Sequence, residues 1–276
     1  MKGVLKLSKD KARGQPRKSC ISTAWLYALK WIACITMLLD HIALFFQEQC
    51  HISAENYVAL RYIGRIAFPL FAYCMIESFH YTKSRGKHLL KIGILALVSE
   101  LPYDIINLTE RGIIDWTHQN VCVSLFLSFL LLMITDKCTN NIRKSYHNSK
   151  FGIAVEDSAK IILVGAFLLA GQLLHVDFGF GGSLFVALLQ FARGRKHKTV
   201  FRVFAFIAFG LTQAHIAYLL TAIPFALICL AEHGSMLHEK AEASRLLCSK
   251  PSRKLTGIFY PLHMAVLIII RFIMSV

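Results

Sequence analysis

Residues 25–46 and 257–276 form two runs of about twenty apolar residues, each long enough as a helix to cross the ~30 Å hydrocarbon core of a bilayer. The remainder of the chain fits that setting. Its 276 residues are 55% hydrophobic, 12% aromatic and only 17% charged, with a mean hydropathy of +0.52. That is too apolar for a soluble domain of this length. Windows of ~19 residues place further helices at 57–81, 88–106, 119–135, 159–175, 179–193, 199–214 and 215–231, about nine with the two runs above. The segment around Thr212 and His215 also fits one bent hairpin. The expected fold is an all-α polytopic membrane protein, a bundle of about nine transmembrane helices. Residues 1–24 read as a basic cytoplasmic tail without a secretory signal, and residues 25–276 as a single transmembrane domain.

Basic residues flanking membrane helices stay on the cytoplasmic side. With the N-terminus placed there, alternate loops carry Lys83, Arg85 and Lys87; Lys137, Arg143, Lys144 and Lys150; Arg193, Arg195, Lys196 and Lys198; and Lys240, Arg245, Lys250, Arg253 and Lys254. The opposite loops carry almost none. The formal charge of +15 is then an inner-surface charge facing anionic lipid or an anionic cytosolic ligand. Nucleic-acid binding is not needed to explain it. The cysteines show no Cys-x-x-Cys pair and read as small core residues, so no metal is expected.

Within this apolar chain, Asp40 and His41 lie in the first run, in the sequence MLLDHIALFF. A charge at mid-membrane costs roughly 2.5 to 3.5 kcal/mol on insertion scales. Further polar residues fall on the same outer half: Arg61 and Arg65, then Glu100 and Asp104, each pair four apart on one helical face. Asn120, His175, Asp177, Gln213 and His215 join them. Bland readings stand beside the functional one. Arg61, Arg65, Glu100 and Asp104 could form an ion-pair ladder, and Asp177 could cap the next helix. Glu77 and His80 could snorkel at a helix end, and Pro69 and Pro102 could bend helices.

A histidine among carboxylates can act as a general base, with Asp40, Glu100, Asp104 or Asp177 as the acid that orients it. Arginines and Asn120 could stabilise an oxyanion. No Gly-x-Ser-x-Gly elbow, Walker loop or His-Glu-x-x-His motif is present. Composition also allows a proton-coupled transporter or a non-enzymatic membrane assembly factor.

The stretches LKWIACITMLLDHIALFF, RYIGRIAFPLFAYCMIESF, LALVSELPYDI, HVDFGFGG and FYPLHM resemble, in order and spacing, the TraX family of conjugal-transfer membrane proteins, whose founding member N-acetylates F-type pilin. The resemblance runs from Leu29 onward. It implies an acyltransferase-like membrane domain in the cytoplasmic membrane. Acetyl-CoA would be the donor, and the acceptor a secreted peptide or pilin amine, or a glycan hydroxyl. A wider similarity, to membrane acyltransferases of the acyltransferase-3 and heparan-glucosaminide N-acetyltransferase type, adds a basic residue ten positions before a catalytic histidine. Lys30 and His41 stand in that relation. Eleven residues of helix return to nearly the same face ~16 Å further on. The residue pattern and the resemblance together point to His41, Asp40, Glu100 and Asp104 for catalysis and, from the resemblance, to Lys30, Tyr260 and His263 for the donor. Arg61, Arg65, Asn120, His175 and Asp177 would hold the acceptor. The expected helix count puts His263 in the inner half, away from His41.

Overall fold

The computed structural model describes residues 21–47, 49–106, 118–146, 149–193, 197–213, 220–237 and 248–275. These form ten helices: α1 (Thr23–Phe46), α2 (Ala54–Gly64), α3 (Ala67–Tyr81), α4 (Arg85–Ile106), α5 (Val121–Tyr146), α6 (Lys150–Leu173), α7 (Gly179–Ala192), α8 (Lys198–Thr212), α9 (Ala222–Leu237) and α10 (Lys250–Ser275). Serines at positions 22, 53 and 149 cap α1, α2 and α6 by accepting from backbone N–H groups in the first turn. Helices α2 and α3 form one bent rod, so nine rods make up the described bundle. Pro69 explains the bend. It sits in the first turn of α3, where its missing N–H costs little, but it cannot donate to the carbonyl of Arg65 four residues earlier and its ring crowds that group. The helix breaks there.

Contacts at both ends fix the directions. Arg85 at the start of α4 meets Asp136 late in α5, while Asn120 before α5 meets Ala96 in α4, so these two rods are antiparallel. Lys198 at the start of α8 meets Glu232 near the end of α9. Helices α1 and α10 run parallel, joined by Trp31 to Ser252 at one level and His41 to His263 at another. The described residues of the basic loops thus gather on one face of the bundle, called here the basic face.

Among the described residues, four segments are long and apolar enough to cross a membrane: Thr23–Phe46, Ala54–Tyr81, Val121–Tyr146 and Lys250–Met274. The outward surface is apolar as well, with Leu97 at 79% exposure, Ile161 at 73% and Phe272 at 70%. Such a surface is stable in lipid, not in water. The core is built around α3, where Phe68, Leu70, Ala72, Tyr73, Ile76 and Phe79 are buried. A ring stack continues from Phe68 to Phe178 at 4.1 Å and to Phe209 at 5.5 Å.

Helix ends differ from the sequence expectation. Helices α5, α6 and α10 extend several residues into polar sequence at the basic face. The helix expected at 215–231 is found at Ala222–Leu237, and His215 lies outside the described residues. Hydropathy windows detect only the apolar part of a helix, whereas the hydrogen-bonded ladder continues into water.

Candidate functional site

A cavity of about 1160 Å³ opens among α1, α2, α3, α4 and α10. Near the basic face its wall carries Lys30 from α1, His88 and Lys91 from α4, and Arg253 and Lys254 from α10. Tyr27 lies between two of these cations, 4.9 Å from Lys30 Nζ and 5.5 Å from Arg253. Toward the opposite face the same cavity is lined by Asp40, His41, Arg61, Arg65, Asp177 and Tyr260. Lys30 and His41 therefore face one space, as their spacing implies.

Close backbone approach shapes the far end. A Cβ added at Gly64 would collide with the Asp40 side chain, so glycine lets α2 press onto α1 there. Arg61, one turn before Gly64, donates from Nη1 to Asp40 Oδ2 at 2.8 Å. The second Asp40 oxygen, Oδ1, is buried without a protein partner. Arg65 leans over the Phe178 ring at 6.0 Å. Asp177 reaches this group through the turn between α6 and α7, which is clamped to the start of α5. There Gln119 N–H donates to the His175 carbonyl at 3.1 Å and Asp177 N–H to the Gln119 carbonyl at 3.0 Å. His175 at φ +48° and Gly179 at φ +51° complete the turn. Asp177 does not cap α7: the N-cap position is Phe178, with no side-chain hydrogen bond. The capping reading is corrected, and the carboxylate is left for the cavity.

His41 is the centre of the second cluster. Its Nδ1 lies 2.6 Å from His263 Nε2, with the two rings nearly parallel and their centroids 4.8 Å apart. His263 Nδ1 in turn lies 2.7 Å from the Phe259 carbonyl. His41 Nε2 is 4.0 Å from Asp40 Oδ2, and the Tyr260 ring meets the His41 ring edge-on at 6.1 Å. His263 therefore sits level with His41 and behind it, not in the inner half. Because α10 begins at Lys250 and not at 257, seven more residues place His263 ~10 Å deeper.

The other expected site residues separate from this group. Asn120 donates to Glu100 and to the Ala96 carbonyl, and its Oδ1 accepts from Cys122 N–H at 2.8 Å. That pair ties α4 to the start of α5 beside the cavity wall. Asp104 is buried at 3% exposure and does not line the cavity, nor does exposed His175, whose ring is 6.3 Å from that of His118. The proposed ladder of Arg61, Arg65, Glu100 and Asp104 is not built as expected: Arg61 pairs with Asp40, and Glu100 with Asn120. Gln213 Nε2 donates to its neighbour Thr212.

Two buried networks near the basic face were not anticipated. Glu77, expected to snorkel, is 1% exposed and receives Arg193 in a fork, Nε to Oε1 at 3.0 Å and Nη2 to Oε2 at 3.2 Å. Glu232 receives Arg202 at 2.7 and 2.9 Å, Lys198 at 2.8 Å and the Tyr73 hydroxyl at 2.7 Å. Intramembrane polarity is thus divided between two levels instead of converging on one. The available signals were the lone arginine in the apolar helix around Arg202 and the lone glutamate late in α9.

No group of three or more potential metal-ligating His, Cys, Asp or Glu residues occurs among the described residues. No solved structure matches the chain significantly. A probable fimbrial assembly protein, FimC of serogroup H1 from Dichelobacter nodosus, is 25% identical over 255 residues, covering 87% of this chain and 93% of that protein. The TraX protein family matches residues 26–271. With that match spanning nearly all of the chain, from α1 through most of α10, the protein belongs to the TraX family.

Proposed function

We propose that the protein is an integral acyltransferase of the cytoplasmic membrane, moving an acetyl group from acetyl-CoA to an amine on the far side of the bilayer. The acceptor is the N-terminus of a secreted peptide or pilin-like protein. The observation that carries this reading is the single cavity with five basic or imidazole side chains at one end and Asp40 and His41 at the other. A donor with a polyanionic head and a long neutral arm fits such a space. Lys30, Lys91, Arg253 and Lys254 hold the phosphates at the basic face, and the arm brings the thioester to His41.

The chemistry follows from the groups at the far end. The acceptor amine donates to the Asp40 carboxylate, which lines the cavity. As its nitrogen attacks the thioester carbonyl, His41 removes a proton and Arg61 and Arg65 face the developing oxyanion. The carbon–sulfur bond then breaks, the thiolate takes the proton, and N-acetyl product and CoA thiol leave.

The test is acetyl-CoA binding and turnover by the purified full chain beside its His41→Ala variant. Binding should survive in both, with turnover about 10²- to 10⁴-fold lower in the variant. Full turnover by the variant would remove His41 as the base. The name of the fimbrial relative favours a second reading, a non-enzymatic assembly factor. That reading requires His41→Ala to support pilus assembly as well as the wild type does.

A further inference from the structure

His263 is buried at 6% exposure, does not line the cavity, and meets His41 edge to edge through one ring nitrogen of each, with the two rings nearly parallel. Its two nitrogens have different surroundings, and these dictate where protons sit. A carbonyl oxygen can only accept, so the 2.7 Å contact with the Phe259 carbonyl requires an N–H at His263 Nδ1. A neutral imidazole then has a lone pair at Nε2. The 2.6 Å contact to His41 Nδ1 accordingly requires the proton on His41 Nδ1. His41 Nε2 is left as an unprotonated lone pair, on the ring edge turned away from His263 and within 4.0 Å of Asp40 Oδ2.

Resting on the reading of His41 as the base, we propose that His263 is a positioning residue: the chain from the Phe259 carbonyl through His263 to His41 locks His41 in the tautomer whose basic Nε2 faces the acceptor. The lock is needed because Asp40 pulls the other way. Without an acceptor at position 263, a proton on His41 Nδ1 is buried and unpaired, which is costly. The same proton placed on Nε2 would point toward the Asp40 carboxylate, a favourable direction. Left to itself, His41 would present an N–H to the acceptor where a lone pair is required. The arrangement follows the general rule that the hydrogen bond at one ring nitrogen sets the state of the other.

The test compares the full-length wild type with His263→Phe, which keeps an aromatic ring and removes the acceptor, and His263→Gln, whose amide oxygen can accept from His41 Nδ1. In detergent-purified protein with ¹⁵N-labelled histidine, the His41 signals, assigned by loss in His41→Ala, should show protonated Nδ1 and bare Nε2 in the wild type. The pattern should reverse in His263→Phe and be restored in His263→Gln. With acetyl-CoA and a synthetic peptide bearing a free N-terminal alanine, kcat should fall about 10- to 100-fold in His263→Phe and recover largely in His263→Gln. KM for acetyl-CoA should be unchanged in both. An unchanged His41 tautomer in His263→Phe, or equal kcat losses in the two variants, overturns the positioning role. The tautomer is read without turnover, so a wild-type level of transfer by His41→Ala would overturn the base role separately.

Discussion

The carboxylates of Glu77 and Glu232 near the basic face and that of Asp40 at the far end of the cavity all sit among apolar helices, yet they are furnished differently. Glu232 receives four donated hydrogen bonds, and Glu77 receives a two-pronged fork from Arg193. Neither residue lines the main cavity. Asp40 has one arginine on one oxygen and no hydrogen-bond partner on the other, which is buried beside Gly64, and the residue lines the cavity. A buried charge whose lone pairs are all occupied is a structural tie. One with an oxygen left unpaired, on a residue that lines a cavity, is not fully tied into the structure.

This contrast can be broken most forcefully at Glu232. Arg202→Ala leaves Glu232 without its fork in a buried setting, and removing one partner of a buried pair typically costs about 3–5 kcal/mol. Thermal unfolding of the detergent-solubilised variant should show a correspondingly large drop. A matching loss for Asp40→Asn, which keeps an acceptor for Arg61, is not expected, since Asp40 serves the cavity. Comparable melting losses at the two sites would erase the distinction. Gly64→Ala should come next, at about 1–3 kcal/mol for an overpacked contact. Because the added methyl meets Asp40, the variant should also lose the transfer activity proposed above. A variant with wild-type melting and activity would show that α2 need not approach α1 so closely.

The smallest effect belongs to Glu156, an outlying carboxylate gripped by Arg143 at 2.6 and 2.7 Å and by Lys160 at 2.7 Å. The hydrogen bonds from Arg143 hold its pKa down to about 2, below the ordinary 4.5. A lowered carboxylate pKa contributes stability above the ordinary value, and that contribution is lost as pH falls from 4.5 through about 2. Arg143 is half exposed, so Glu156→Gln should cost at most ~1 kcal/mol at neutral pH, and its melting temperature should converge on the wild type's in acid.

The sequence made the rods and part of the site legible for separate reasons. Apolar length announces a helix whatever its neighbours, and Lys30 and His41 share one helix, so their spacing alone sets them on one face. Glu232 and Arg202 belong to different helices and meet only after packing, which no local pattern encodes. His263 was readable as a motif residue but not in depth, because the polar first turns of α10 are invisible to hydropathy. The unused oxygen of Asp40 and the separation of Glu100 from Arg61 depend on which partner lies nearest in space, and three-dimensional packing alone decides that.

Helices α1 and α10 lie side by side, yet His41 and His263 are 222 residues apart in sequence. In a chain synthesised from its N-terminus, His41 enters the membrane before α2 to α10 are placed. Its ring acquires its neighbour only when α10 slots in parallel to α1. If His41 is the base proposed above, assembly and competence are coupled in time: a partly inserted chain can possess the cationic residue on α1, the arginines on α2 and the carboxylate beside His41 and still be chemically unfinished.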